Sequence, residues 1–331
     1  MTVRRGFLLG KFMPPHAGHV FMCNTAAALC DELTVLVCSL PDDPISGMDR
    51  ARWMRALLPN VRVIHHDKVV PQEPKDHPDF WPIWRGICTA AQPLPITSVF
   101  GSEPYVVRLA AELGATPVLI DPDRLAFPVS ATAIRTDPAA HWRFVPEPIR
   151  ALYQKRVVLF GAESVGKSTM TRALAAHFDT LFVPEYGRTH DAFKPDLAWS
   201  EADFTMIAAG HRAMRAAIAP QAGAILFEDT DPLLTSVWQE YLLGGPAGPA
   251  KISDPADLYL LLDTDMPWIN DGTRYQADTD HRCAFQRRCL EVLADVGANV
   301  CVVSGAPQER WQTCLSAISA LTDPPQAHAR A

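Results

Sequence analysis

Between residues 157 and 169 the chain has little freedom. An apolar run, Val157-Val-Leu-Phe160, feeds directly into Gly161-Ala-Glu-Ser-Val-Gly166-Lys167-Ser168, and a helical stretch follows from Lys167. The segment fits G-x-x-x-x-G-K-[ST] in the strand-loop-helix setting that its chemistry requires. Gly161 and Gly166 let the backbone wrap a triphosphate with its N–H groups, Lys167 reaches the β and γ phosphates, and the Ser168 hydroxyl can ligate magnesium. Ser164 and Thr169 are further expected contacts, so ATP and Mg²⁺ are the expected co-substrate and ion. Such a loop belongs to a parallel sheet flanked by helices.

The rest of the chain agrees with that fold class. Short apolar runs alternate with helical stretches at Gly6 to Phe12, Leu33 to Ser39, Val61 to His65, Ser98 to Gly101 and Pro117 to Ile120. A second series follows at Arg156 to Phe160, Leu181 to Pro184, Ala224 to Phe227, Leu258 to Leu262 and Val300 to Val303. Strands alternating with helices imply right-handed crossovers and parallel sheets. At about 150 residues per domain, 331 residues make two. The expectation is α/β, two tandem parallel-sheet domains: a Rossmann-like domain over 1–150 and a P-loop kinase domain over 151–322. A frayed tail is expected over 323–331. Between the halves, Asp137 to Lys155 carries Pro138, Pro146 and Pro148 beside Trp142 and Phe144, a packed connection more than a loose linker.

Composition removes several classes. A net charge of -7 leaves no basic field for a nucleic-acid backbone, so no nucleic acid partner is expected. No apolar run nears the roughly 20 residues of a bilayer span. The eight cysteines contain no Cys-x-x-Cys pair and read as reduced thiols in a cytoplasm.

A phosphate-transferring P-loop also needs an acid at the end of a neighbouring strand, and Ala224-Ile-Leu-Phe227-Glu228-Asp229-Thr-Asp231 supplies three. Asp229 is chosen for the magnesium shell with Ser168. Glu228 or Asp231 could serve instead, and a helix-capping role is the plain alternative for any of them. Val183-Pro-Glu185-Tyr186-Gly-Arg188 follows the next strand, at the carboxyl edge where open α/β sheets bind ligands. There Glu185 could orient or deprotonate a hydroxyl and Arg188 could steady a phosphoryl group, unless the two only form a surface ion pair. Further on, Trp268-Ile-Asn-Asp-Gly-Thr-Arg274 leads towards Arg282, Arg287 and Arg288, arranged like a flap bringing cations over phosphates. Trp268 offers a flat face for an aromatic, cationic ring.

In the first half, Gly10-Lys11-Phe12-Met-Pro-Pro-His16-Ala-Gly18-His19 follows the first strand and opens a helix. A helix N-terminus favours an anion, and two imidazoles plus Lys11 can supply donors to a phosphate without a covalent intermediate. Metal binding is the rival explanation of the two histidines, but no third ligand with zinc-like spacing lies nearby. Late in this half, Ser130-Ala-Thr132-Ala-Ile-Arg135 places two hydroxyls and a guanidinium at helical spacing, where Ser130 could cap the helix and Arg135 reach phosphate oxygens.

The GxFxPxHxGH loop and the Ser-x-Thr-x-x-Arg segment together resemble the nucleotidyltransferase superfamily. With the P-loop half appended, the chain is similar throughout to the bifunctional NadR type, a nicotinamide mononucleotide (NMN) adenylyltransferase followed by a ribosylnicotinamide kinase. Asp49-Arg50-x-Arg52-Trp53-Met54, Ser102-Glu103-Pro104-Tyr105, Val118 to Arg124, Glu185 to Arg188, Asp229-Thr-Asp231 and Trp268 to Arg274 carry the same resemblance. It implies that His16, His19, Lys11, Ser130, Thr132 and Arg135 hold ATP, with Gly10, Phe12 and Gly18 as further nucleotide contacts. NMN would then attack the α phosphorus and pyrophosphate would leave. It points to Trp81 and Trp84 for the nicotinamide ring, to Tyr186, Arg188, Asp231 and Trp268 around the kinase acceptor, and to Glu185 as base for the ribose 5′-hydroxyl.

The implied function is NAD salvage in the cytoplasm from nicotinamide riboside, NMN and ATP. A homo-oligomer and a functional link to a riboside transporter are compatible with it. Some members carry an N-terminal helix-turn-helix; this sequence starts at the first strand, so DNA regulation is not expected. Two rival readings remain. One keeps both folds with other acceptors, and the other makes one half an ATP-sensing regulatory module.

Overall fold

A computed structural model describes residues 3–194, 198–245, 255–266 and 279–322. The chain divides into two compact units, Met1–Arg150 and Ala151–Ala331. The tail expected over 323–331 lies outside the described residues.

In the first unit the elements run β1 (Arg5–Gly10), α1 (Ala17–Leu29), β2 (Glu32–Cys38), α2 (Gly47–Leu57), β3 (Arg62–His66), α3 (Phe80–Ala91), β4 (Ser98–Gly101), α4 (Tyr105–Leu113), β5 (Thr116–Leu119), α5 (Ala131–Thr136) and α6 (Glu147–Arg150). The sheet is all parallel in the order β3-β2-β1-β4-β5. Helices cover both faces of such a sheet, which is why Val35, Leu36 and Val37 of β2 are all buried without polar alternation. The chain leaves β1 for one side and later returns to β4 on the other. This switch point beside β1 opens a crevice at the carboxyl edge, where ligands of doubly wound sheets bind. The connection after α5 is packed: Phe144, Val145 and Ile149 are buried.

The second unit runs β6 (Lys155–Phe160), α7 (Lys167–His177), β7 (Phe182–Val183), α8 (Tyr186–Phe193), α9 (Glu201–Ile218), β8 (Ile225–Asp229), α10 (Pro232–Leu243), β9 (Leu258–Leu262), α11 (Thr279–Asp295), β10 (Val300–Val303) and α12 (Pro307–Thr322). Its sheet is also parallel, in the order β10-β9-β6-β8-β7, so β6 is central and the loop after it opens at the middle of the carboxyl edge. Every residue of β8 and β9 is buried.

Several strands end differently from expectation. β1 stops at Gly10 because Phe12 takes a left-handed backbone (φ 49°), which ends pairing and starts the loop. β2 stops at Cys38, leaving Ser39 to hydrogen-bond His65 at 2.8 Å. β7 is only two residues long. β8 is longer, carrying the acids Glu228 and Asp229 inside the sheet instead of in the following turn, with Asp229 in register with Leu159. No helix among the described residues is long and apolar enough to cross a membrane.

Candidate active sites

The loop after β1 folds around a fully buried arginine. Arg50, from α2, donates to the Lys11 carbonyl at 2.6 Å, the Cys38 carbonyl at 3.2 Å and the Asp43 carboxylate at 2.6 Å. Burial works against the Asp43 charge, but the Leu40 N–H and Arg50 outweigh it and hold its carboxyl below the usual range. With its carbonyl held, the exposed Lys11 side chain stands at the mouth of the loop.

His16 is the N-cap of α1 and His19 lies one turn on, with Gly18 between them in the helix's first turn. The two rings stack at 3.7 Å, and His19 meets the edge of the Phe12 ring at 5.0 Å. Phe12 itself is buried in the core, so its expected place among the nucleotide contacts is corrected: it backs His19 and shapes the turn. The Nδ1 atoms of both histidines are buried and have no hydrogen-bond partner. Two orphaned buried nitrogens at a helix N-terminus are costly unless a ligand satisfies them.

Burial first, and the charge of Arg124 second, push His16 down to about 4. His19 is lowered well below its ordinary value by burial, then by His16 and Arg124. Both imidazoles are therefore neutral near pH 7. Because the folded value of His16 lies below the unfolded 6.5, its contribution to stability is fully present above pH 6.5 and is lost as pH falls towards 4. The shift corresponds to about 3 kcal/mol for a group this buried. Urea unfolding of the full chain between pH 7.5 and 4.5 is expected to show wild type losing about that much more stability than the non-titrating His16→Gln variant. Equal losses would contradict the assignment.

α5 faces the same loop. Ser130 caps it, its hydroxyl accepting from the Ala133 N–H at 3.0 Å while its own O–H remains a donor. Arg135 donates to the Met13 carbonyl and, at 3.1 Å, to the Thr132 hydroxyl. Thr132 and Arg135 are thereby brought beside residues 10–19, 113 or more positions away in sequence. Arg124, not among the expected site residues, joins them through its charge on both histidines.

The two tryptophans separate. Trp84 is buried in the core between α3 and the sheet, and its indole N–H is spent on the Pro71 carbonyl at 3.0 Å. Its expected role as a ring-stacking contact is corrected to packing. Trp81 is half-buried, edge-on to Phe80, with the Arg108 guanidinium 5.5 Å from its ring centre.

In the second unit the glycine loop wraps as its sequence demands. Gly161 (φ 127°) and Gly166 (φ 91°) take backbone conformations that side chains rarely adopt, and Ser164 (φ 62°) joins them with its hydroxyl buried and unpartnered. Lys167 folds back so that Nζ donates to the Gly161 carbonyl at 3.0 Å and the Ala162 carbonyl at 2.7 Å. Gln286 of α11 accepts from the Ala162 N–H and donates to the Leu262 carbonyl, both at 2.9 Å, which ties the loop to the end of β9.

The three acids resolve by their partners. Glu228 is spent in the core, accepting from Arg156 at 2.7 Å and His211 at 2.8 Å. Asp231 caps α10 by accepting from the Leu233 and Leu234 N–H groups, and it also accepts from the Tyr259 hydroxyl at 2.9 Å. Its expected substrate contact is corrected to a structural cap, since the buried carboxylate is fully engaged. Asp229 faces the loop. Burial and then the nearby Glu185 charge raise its carboxyl above the usual range, partly offset by the Ser168 hydroxyl, Lys167 and Arg188. Its Oδ1 is buried without a partner. An unpartnered acid oxygen beside a serine hydroxyl is the hard-oxygen donor set that Mg²⁺ takes.

A cavity of about 350 Å³ runs from Ser164, Gly166, Lys167, Ser168 and Thr169 past Glu185, Tyr186 and Arg188. Glu185 and Arg188 are an ion pair at 3.2 Å, at the rim of this cavity and close to Asp229. The far end is lined by Trp199, Phe204, Ile207, His211 and Trp238, with Arg172 near the loop. None of these six stood out in the sequence, because they come from three helices and the segment before α9 and share no local spacing. Trp268 and Arg274 lie outside the described residues. Of the cations expected on a flap, Arg288 is instead held by Glu240 at 2.7 Å and Glu291 at 3.0 Å, and Arg282 is buried on α11.

Comparison with known proteins follows the same division. A family model described as an AAA domain matches residues 156–310. The chain is 29% identical over 317 residues to the trifunctional NAD biosynthesis/regulator protein NadR of Salmonella typhimurium, covering 88% of this chain and 76% of that protein. It is 29% identical over 316 residues to the protein of the same description from Escherichia coli, with the same coverage. A crystal structure of NadR in complex with NAD and AMP-PNP shares the fold, with a TM-score of 0.74, 23% identity and coverage of 97% of this chain and 96% of that one.

Proposed function

We infer that this is a NadR-type bifunctional enzyme of NAD salvage, its first unit an NMN adenylyltransferase and its second a ribosylnicotinamide kinase. The observation that carries the reading is the pairing of two phosphate-ready strand exits in one chain. One presents buried, unpartnered histidine nitrogens and the other Lys167, Ser168 and Asp229. The similarity to NadR proteins through 88% of the chain supplies the substrates.

In the second unit ATP lies with its β and γ phosphates in the glycine loop. Lys167 leaves the Gly161 and Ala162 carbonyls for the phosphates, a short swing for a flexible side chain. Ser168 and Asp229 would hold Mg²⁺, which would offset the charge of the phosphates. Nicotinamide riboside lies along the aromatic end of the cavity with its 5′-hydroxyl towards Glu185, which accepts the hydroxyl proton as the oxygen takes the γ phosphoryl group. Arg188, already paired with Glu185, is placed to neutralise that group in flight.

In the first unit the NMN phosphate oxygen attacks the α phosphorus of a second ATP and pyrophosphate leaves. His16, His19, Lys11 and Arg135, with the first N–H groups of α1, hold the polyphosphate in line and stabilise the charge moving onto the leaving group. No protein nucleophile is required. Trp81, with its half-exposed ring, is the candidate face for the pyridine ring in this unit. The eight free thiols fit a reducing cytoplasm.

Incubating the full chain with nicotinamide riboside, ATP and Mg²⁺, then separating products by chromatography, tests the reading. NMN should appear first and NAD after it. NMN without NAD would confine activity to the second unit, and neither product would overturn the proposal.

A further inference from the structure

The acceptor end of the cavity contains one polar side chain whose hydrogen-bonding sense is dictated from behind. His211, on α9, lines the cavity although almost all of its surface is buried. Its Nε2 is hydrogen-bonded at 2.8 Å to Oε2 of Glu228, whose other oxygen accepts from Arg156 at 2.7 Å, with Arg215 at 4.0 Å. A carboxylate only accepts, so the hydrogen of this bond sits on Nε2. In the neutral ring Nδ1 is then a lone-pair acceptor.

An aromatic platform lies beside it. A Cβ on Gly210 would fall 2.4 Å from the Tyr186 ring, so that ring rests directly on the α9 backbone next to His211, and both residues line the cavity. Trp199 and Phe204 stack at 5.2 Å and form another wall. The cavity therefore has flat aromatic walls beside the His211 ring.

We propose that His211 selects the acceptor of the kinase: its Nδ1 lone pair accepts from the carboxamide NH₂ of nicotinamide riboside and disfavours the carboxylate of nicotinic acid riboside. This rests on the kinase reading above and names the substrate form that site takes. A carboxamide has two N–H donors, whereas a carboxylate set against a lone pair leaves two acceptors facing each other in a buried place. The Glu228–Arg156 pair acts through His211 as a positioning device, fixing the ring's orientation and its tautomer.

The test uses the full chain with both ribosides and reads kcat and KM for each. Wild type should prefer nicotinamide riboside by tenfold or more in kcat/KM, about the loss from one unmatched hydrogen bond. His211→Gln keeps an amide N–H within reach of Glu228 but removes the acceptor at the Nδ1 position. It should raise KM for nicotinamide riboside with a smaller change in kcat, and the preference should shrink. His211→Asn keeps an acceptor at the Nδ1 position and should retain more of the preference than His211→Gln. Wild-type enzyme turning over the two ribosides equally would overturn the proposal without any variant, as would a His211→Gln enzyme with an unchanged preference. If wild type phosphorylated neither riboside, the kinase reading itself would fall.

Discussion

Lys167→Ala is expected to lower the rate of nicotinamide riboside phosphorylation by about 10³-fold, since one preorganised donor to developing charge contributes on the order of 10²–10³ and this one also carries a full charge. The expectation follows from placement. Lys167 is 9% exposed, at the centre of the loop, and its Nζ is held by the Gly161 and Ala162 carbonyls, which a triphosphate can replace. Among the described residues, the other cations lining the cavity, Arg172 and Arg188, stand on α7 and α8 beyond the loop itself and cannot take its position between the β and γ phosphates. Conversion of NMN to NAD by the same preparation should be unchanged, because the first unit has its own core and its own phosphate loop. This second rate reports that the chain is folded. A kinase rate within tenfold of wild type would remove the P-loop from the mechanism.

The second large effect is expected on the other activity. His19→Ala should reduce adenylylation of NMN by about 10²-fold or more, with kinase activity retained, because it deletes a donor aimed at the leaving pyrophosphate. It also removes half of the stacked imidazole pair, so His16 loses the ring 3.7 Å away that holds its orientation. His19→Asn, whose amide can place an N–H where Nδ1 stands, should recover part of the loss. Full retention of adenylylation in His19→Ala, measured as NAD formed from NMN and ATP, would contradict the role assigned to the loop after β1. If His19→Asn were no better than alanine, the ring's packing against Phe12 would matter more than its nitrogen.

Much of the candidate chemistry was legible wherever it is carried by consecutive residues. A glycine loop between a strand and a helix needs its conformation, its lysine and its serine within eight positions, and Gly161 to Ser168 hold all of them. The histidine loop is similar: His16 and His19 come one helical turn apart, so their neighbourhood is already implied by the spacing. The ten strands among the described residues were readable too, most plainly where a sheet buried on both faces leaves uninterrupted apolar runs such as Leu258–Leu262.

Identical residue types with different partners were not legible. Trp81 and Trp84 stand three apart on one helix, and both read as flat aromatic faces. Only packing shows that Trp84 turns inward to the Pro71 carbonyl while Trp81 stays half-buried. Glu228, Asp229 and Asp231 form one acidic run. In a strand, alternate side chains point to opposite faces, so Glu228 goes to Arg156 and His211 while Asp229 goes to the phosphate loop; Asp231, past the strand, caps α10.

By itself the amino-acid order determined that the chain is α/β, where its strands lie, and that two of their exits are built to grip phosphate, since each of those properties depends on neighbours within a few positions. Tertiary structure alone decided what stands opposite them: Arg50 beneath the first loop, Arg135 brought across to Met13, and His211 oriented by a glutamate on another element. Those pairings join residues from separate elements, and a side chain's role there depends on which partner consumes its hydrogen bonds, a quantity that no local spacing encodes.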